Sequence, residues 1–160
     1  MNVPMKALSL SVVAAITLMG CGKEEPPPPP PVQAPPPPLV VKIGSVAPLT
    51  GQIAHLGKDN ENGARMAIDE LNAKGVTIGG KKAKFELLAE DDAADPKQGT
   101  AAAQKLCDAK VAGVAGHLNS GTTIPASKVY NDCGIPHITP SATNPNLTKP
   151  GYKTTFRIIA

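Results

Sequence analysis

The sequence predicts an α/β fold, a doubly wound parallel sheet, on three observations. Apolar, β-branched runs alternate with helix-period stretches from Val40 onward. Their order along the chain is β-α-β-α-β-α-β, which short right-handed crossovers turn into a parallel sheet. The run Val111–Gly116 is wholly small and apolar, as a strand is when helices cover both of its faces. Ligands of such sheets sit beyond the carboxyl ends of the strands. The loops to read are therefore 48–57, 91–95, 117–123 and 139–146.

The first strand is Val40–Ala47, and Pro48-Leu-Thr-Gly51 breaks it. A helix is expected near Asn60–Ala73, because Ala64, Ala67, Ile68 and Leu71 recur at i, i+3, i+4 and i+7, and Gly75 stops it. Val76–Gly80 reads as a turn with a little extended structure. Lys84–Asp91 is the second strand, with Phe85, Leu87 and Ala89 alternating. Asp95-Pro96 opens the next helix, with Asp at the N-cap and Pro where a missing N–H costs nothing. Its apolar stripe is Gly99, Ala102, Ala103 and Leu106. A third helix runs to about Asp132, with Ala126, Val129, Tyr130 and Cys133 on one side. Ile135–Thr139 is a short fourth strand, and Thr154–Ile159 reads as a fifth.

The amino terminus addresses the compartment. Lys6 is the one charge before the uncharged run Ala7–Leu18, which is too short to span a bilayer but suits the core of a signal peptide. Leu18-Met-Gly-Cys21 then resembles the bacterial lipobox, in which the cysteine is lipidated and becomes the new first residue. The competing reading is an ordinary secretory peptide with an incidental cysteine. Cleavage before Cys21 removes Lys6 and takes the formal net charge from +3 to +2. That is no strongly basic field, and Phe85, Phe156, Tyr130 and Tyr152 are the only aromatics, so nucleic-acid binding is excluded. Ten of the 18 prolines fall in 26–38. Proline fixes φ and lacks an N–H, so this segment reads as polyproline II of roughly 40 Å, a spacer lifting a domain off a membrane. The expected organisation is a signal peptide over 1–20, a lipid-anchored linker over 21–38 and a folded domain over 39–160.

Several chemistries find no support. No G-x-G-x-x-G follows the first strand, and there is no phosphate loop. Ser120 lacks the G-x-S-x-G surroundings of a hydrolase nucleophile. His55, His117 and His137 have no metal-site spacing, and His117 and His137 read as ordinary hydrogen-bonded histidines of apolar strands. Asp91-Asp92 reads as an acid pair or, better, as turn caps. No cofactor is called for. His117-Leu-Asn-Ser120-Gly-Thr-Thr123 offers free N–H groups and hydroxyls at a helix start, a ready anion site. Thr139-Pro-Ser141-Ala-Thr143 places a second hydroxyl-bearing turn after the adjacent strand. Together the two turns suit a carboxylate and an ammonium. Spacing alone leaves open the alternative that they only cap helices.

At these residues the chain resembles the periplasmic leucine/isoleucine/valine-binding proteins of branched-chain amino-acid ABC importers. The matching text is Gly44, Pro48-Leu-Thr-Gly51, Asn62-Gly-Ala64, Asn72-Ala-Lys-Gly75, Asp91-Asp-Ala-Ala-Asp-Pro-Lys-Gln98, Gly116-His-Leu-Asn-Ser120, Pro125-Ala-Ser127, Tyr130 and Ile138-Thr-Pro-Ser-Ala-Thr143. The resemblance implies the first lobe, incomplete here, of a type I periplasmic binding protein that closes two lobes on its ligand. It implies that Ser120 binds the ligand α-carboxylate and that Ser141, Ala142 and Thr143 bind carboxylate and ammonium. Leu118 and Asn119 match pocket-lining positions, and Leu56 stands where the family carries a tyrosine wall. Ala94 and Asn119 stand where the family carries a disulfide. The implied function is a non-enzymatic solute-binding lipoprotein of the periplasm, favouring the outer membrane. It takes a branched-chain or similar amino acid and delivers it to an ABC permease. A sensor of the same fold and an amidase-like hydrolase are the alternatives. With Cys21 lipidated, Cys107 and Cys133 form an even pair in an oxidising compartment. A strand order of 2-1-3-4 makes their helices neighbours with level carboxyl ends, and a disulfide is expected. Two buried free thiols are the alternative.

Overall fold

A computed structural model describes residues 36–159. The expected signal peptide, Cys21 and most of the proline-rich segment lie outside the described residues. The elements in chain order are β1 (Leu39–Ala47), α1 (Ala54–Lys74), β2 (Thr77–Ile78), β3 (Lys81–Asp91), α2 (Pro96–Asp108), β4 (Gly113–Gly116), α3 (Ser120–Cys133), β5 (His137–Thr139), a 3-10 turn (Pro145–Leu147) and β6 (Thr155–Arg157). The sheet order is β2-β3-β1-β4-β5-β6. All neighbours are parallel except the short β2, which pairs antiparallel with β3. The expected parallel, doubly wound α/β sheet is therefore present, with a small hairpin at one edge.

Side-chain alternation shows how the helices are divided. Val46 and Val114 join Ala102, Ala103, Leu106, Ala126 and Tyr130 in the core under α2 and α3. Ser45 and Ala115, one residue away on each strand, line a cavity with Gly63 and Ala64 of α1 on the other face. Small residues let α2 and α3 lie close. A Cβ on Gly99 would come within 3.0 Å of the Thr122 Cβ. Cys107 and Cys133 are disulfide-bonded across the carboxyl ends of these helices, with Cα atoms 6.2 Å apart.

Some boundaries differ from the sequence reading, each for a local reason. α1 begins at Ala54 rather than near Asn60. Its first two turns are polar and exposed and carry no apolar period, while Gly57 packs so tightly that a Cβ there would meet the Pro48 carbonyl at 2.0 Å. β4 begins at Gly113 because the Val111 N–H closes α2 on the Leu106 carbonyl, with Lys110 at φ 53°. β5 begins at His137 because the Ile135 N–H is used by the Tyr130 carbonyl at the end of α3 and Pro136 has none. The α1 face is covered only over part of the sheet. Ile138 and Phe156 are 43% and 50% exposed beyond the edge of α1.

Candidate functional site

The carboxyl ends of β1, β3, β4 and β5 open into four loops, and side chains tie those loops to one another. Asp91 ends β3 and holds the β1–α1 loop. Its carboxylate accepts from the Leu49 N–H at 2.7 Å, the Thr50 hydroxyl at 2.6 Å and the Ala93 N–H at 2.8 Å. Burial pushes its carboxyl up, but hydrogen bonds from Thr50, Ala93 and Leu49 outweigh it, and the pKa lies below the ordinary value of 3.8. Asp92 turns the other way. It is wholly buried, and its carboxylate lies 2.9 Å from His117 Nδ1. His117 Nε2 lies 3.0 Å from the Tyr130 hydroxyl. Burial first, then the charges of Asp92 and Glu90, push the tyrosine pKa well up, so Tyr130 keeps its proton. The Asp92 carboxylate and the Tyr130 hydroxyl thus bracket the two ring nitrogens of His117. The Asp91-Asp92 pair is thus a double loop tie, and His117 is the structural histidine that the sequence predicts. Asp92 and His117 are shut off from solvent, so the trio presents no base to a substrate.

The two turns are joined through His117 and its neighbours. The Thr139 hydroxyl donates to the His117 carbonyl at 2.7 Å and accepts from the Ala142 N–H at 3.0 Å. The Ser141 hydroxyl donates to the Leu118 carbonyl at 2.7 Å, and the Asn144 N–H donates to Ser120 Oγ at 3.2 Å. Arg157 caps the second turn by donating to the Thr143 carbonyl at 2.9 Å. A hydroxyl that accepts in this way keeps its own proton to donate elsewhere. Ser120 also stands at the first position of α3, where backbone N–H groups have no helical partner and the dipole is positive.

A cleft of about 530 Å³ lies between these turns and α1, lined by Leu56, Asp59, Asn60, Leu118, Asn119, Ser120, Ser141 and Thr143. The fold brings together six of the seven ligand positions expected from sequence. Ala142 is the exception: it is fully buried behind the turn, and its N–H is taken by Thr139. Asp59 and Asn60 were not singled out from sequence. They stand three and four residues after Leu56, so any helix carrying Leu56 into the cleft carries them as well. That signal was lost because the helix was expected to begin only at Asn60. Gly116 sets the approach of this turn to β1, since it sits at φ 141° and a Cβ would come within 2.3 Å of the Val46 carbonyl.

The periplasmic binding protein family model matches residues 40–160. The chain belongs to this family. A leucine-, isoleucine-, valine-, threonine- and alanine-binding protein of Pseudomonas aeruginosa is 44% identical over 119 residues, 74% of this chain and 31% of that relative. A leucine-specific-binding protein of Salmonella typhimurium is 44% identical over 117 residues, with 73% and 31% covered. Among solved structures, the branched-chain amino acid transporter substrate-binding protein of Streptococcus pneumoniae in complex with isoleucine superposes with a TM-score of 0.67 at 34% identity. That match covers 74% of this chain and 33% of the other. The present chain thus spans about a third of the length of these binding proteins, and its described part has the architecture of a type I lobe.

Proposed function

We propose that this chain supplies one wall of an amino-acid site in a solute-binding protein that serves an ABC importer. The observation that carries this reading is the pair of hydrogen-bonded turns facing one cleft, with the Ser120 hydroxyl at the amino end of α3. A helix N-terminus with unpaired N–H groups attracts a carboxylate. Ser120 donates to that carboxylate, and Thr143 on the facing turn takes the ammonium. Leu118, Asn119 and Leu56 flank the ligand, and Ser141 holds the two turns in register. A second lobe, of the kind that accounts for the extra length of the relatives, closes over the ligand. The relatives' names support an amino acid with an aliphatic or small side chain as ligand. The family supports a periplasmic location. Acylation at Cys21 tethers the protein to a membrane, the outer one by preference, and the proline-rich segment spaces the lobe from it.

Two experiments test these statements. In the protein expressed from its complete reading frame, Ser120→Ala and Thr143→Ala each weaken amino-acid binding. A hydrogen bond to a charged group contributes about 1.5–3 kcal/mol, so the dissociation constant rises roughly ten- to a hundredfold by calorimetry. Unchanged affinity in both variants makes the turns mere caps. Cells fed radioactive palmitate label the wild-type protein and not Cys21→Ala; label persisting in that variant removes the anchor.

A further inference from the structure

The two ends of the parallel sheet differ in charge. Its carboxyl end, where the cleft opens, carries Asp91, Asp92 and Asp95, and Asp59 lines the cleft itself. The amino end carries lysines. Register places Val40 beside Lys84 and Lys42 beside Glu86. Alternation puts these residues and Lys82 on the face of Gly44 and Leu88, which packs on α2. α2 stops short of them at Asp108, and the Ala112 N–H donates to the Lys42 carbonyl, so Lys110 and Lys42 border one groove. Lys81 opens β3 next to Lys82. All these lysines are exposed, and Lys42, Lys81, Lys82 and Lys110 enter none of the ion pairs among the described residues. The acids on this side are engaged. Glu86 pairs with Lys84 at 3.1 Å, Asp108 accepts from Gln104 at 2.9 Å, and Asp132 pairs with Lys128. α1 adds Lys74 at this end but also Asp69 and Glu70, so the positive excess lies on the α2 side.

Two further observations favour a lipid surface over an acidic protein. Apolar side chains stand exposed among the lysines: Leu39, Val40 and Ile78 are 38%, 47% and 42% exposed, and Ile78 pairs with Lys81 in the β2–β3 hairpin. The chain also enters the lobe at this end, where Pro36, Pro37 and Pro38 border a groove with Gly80, Lys81 and Lys82. Mixed basic and apolar residues match an anionic bilayer, whose headgroups take the charge while apolar groups reach the acyl boundary. We infer that the amino end of the sheet is a docking surface for an anionic phospholipid membrane, which turns the cleft away from the bilayer. The inference needs neither the amino-acid site nor acylation of Cys21. A tether only bounds how far the lobe travels. The lysines, which act within about 8 Å at physiological salt, decide which end settles on the headgroups.

Vesicle sedimentation tests this with the protein expressed from its complete reading frame without residues 1–21, so that neither an acyl chain nor the apolar leader contributes. Vesicles of phosphatidylcholine mixed with phosphatidylglycerol should bind the protein at low salt and release it as salt rises. Phosphatidylcholine alone should not bind it. Lys81→Gln/Lys82→Gln and Lys42→Gln/Lys110→Gln should each weaken binding roughly twenty- to thirtyfold, at about fivefold per lysine. Lys58→Gln/Lys97→Gln removes the same charge near the cleft and should change binding little. Circular dichroism and thermal midpoints report that the variants are folded. Absence of binding to the phosphatidylglycerol vesicles overturns the inference and leaves an acidic protein as the partner of the lysines. Equal binding to both kinds of vesicle overturns it as well. So does affinity unmoved by both pairs at the amino end, or lowered as much by the pair near the cleft. Amino-acid titration of the same preparation reads the cleft separately, and its failure leaves the docking surface standing.

Discussion

His137 shows how much of this site is decided by single buried side chains. It is 1% exposed, its Nε2 lies 3.0 Å from the Thr155 hydroxyl, and its ring lies against Tyr130. Burial pushes its pKa down to about 4 from 6.5, against the opposing pull of the Gly116 carbonyl. The folded state therefore holds His137 neutral, while the unfolded chain protonates it as pH falls below 6.5. Stability from this group is fully present above pH 6.5 and is lost between 6.5 and about 4, because the unfolded state then binds the extra proton. His137→Gln should flatten the fall in thermal midpoint across that window, whatever its effect at neutral pH. An equally steep fall in the variant would place the sensitivity elsewhere. The structural roles of His117 and His137 were legible from their place in apolar strands. The partners were not, because Asp92, Tyr130 and Thr155 approach through the fold and not through the local sequence.

At the scale of elements, the strongest sequence signals were chemical and the weakest were periodic. Asp95 caps α2 as expected, accepting from the Lys97 and Gln98 N–H groups at 3.0 and 2.9 Å, because a cap is specified by adjacent residues. The start of α1 escaped because Ala54–Asp59 is mostly exposed and has no apolar repeat to read. Asp59 and Asn60 were missed with it. The strand order 2-1-3-4, a condition of the sequence reading, is the one observed as β3-β1-β4-β5, and it places Cys107 beside Cys133. That bridge joins residues 26 apart and should stabilise the lobe by roughly 3–4 kcal/mol in the loop-entropy model. Periplasm-expressed protein alkylated without reductant should carry no label on either cysteine, and Cys107→Ser/Cys133→Ser should melt well below wild type. Two labelled cysteines would refute the bridge in solution.

At the largest scale, the described residues form a sheet with one well-covered face and one partly bare. α2 and α3, joined by the disulfide, form a close-packed layer under β1, β4 and β5. The opposite face is covered by α1 near β1 and β3 and leaves Ile138 and Phe156 exposed. Parallel sheets normally bury both faces. The chain also spans about a third of the length of its relatives. In the proposed function, the described lobe supplies the wall that reads the ligand's charged ends. In that proposal the amino end of α3, with Ser120, holds a carboxylate. The direct measurement compares the tightest-binding amino acid with its α-carboxamide, titrated calorimetrically into the protein from the complete reading frame. Loss of the negative charge should weaken binding by about a hundredfold or more in the wild type, and by much less in Ser120→Ala. Equal affinity for the acid and the amide in the wild type would contradict the account.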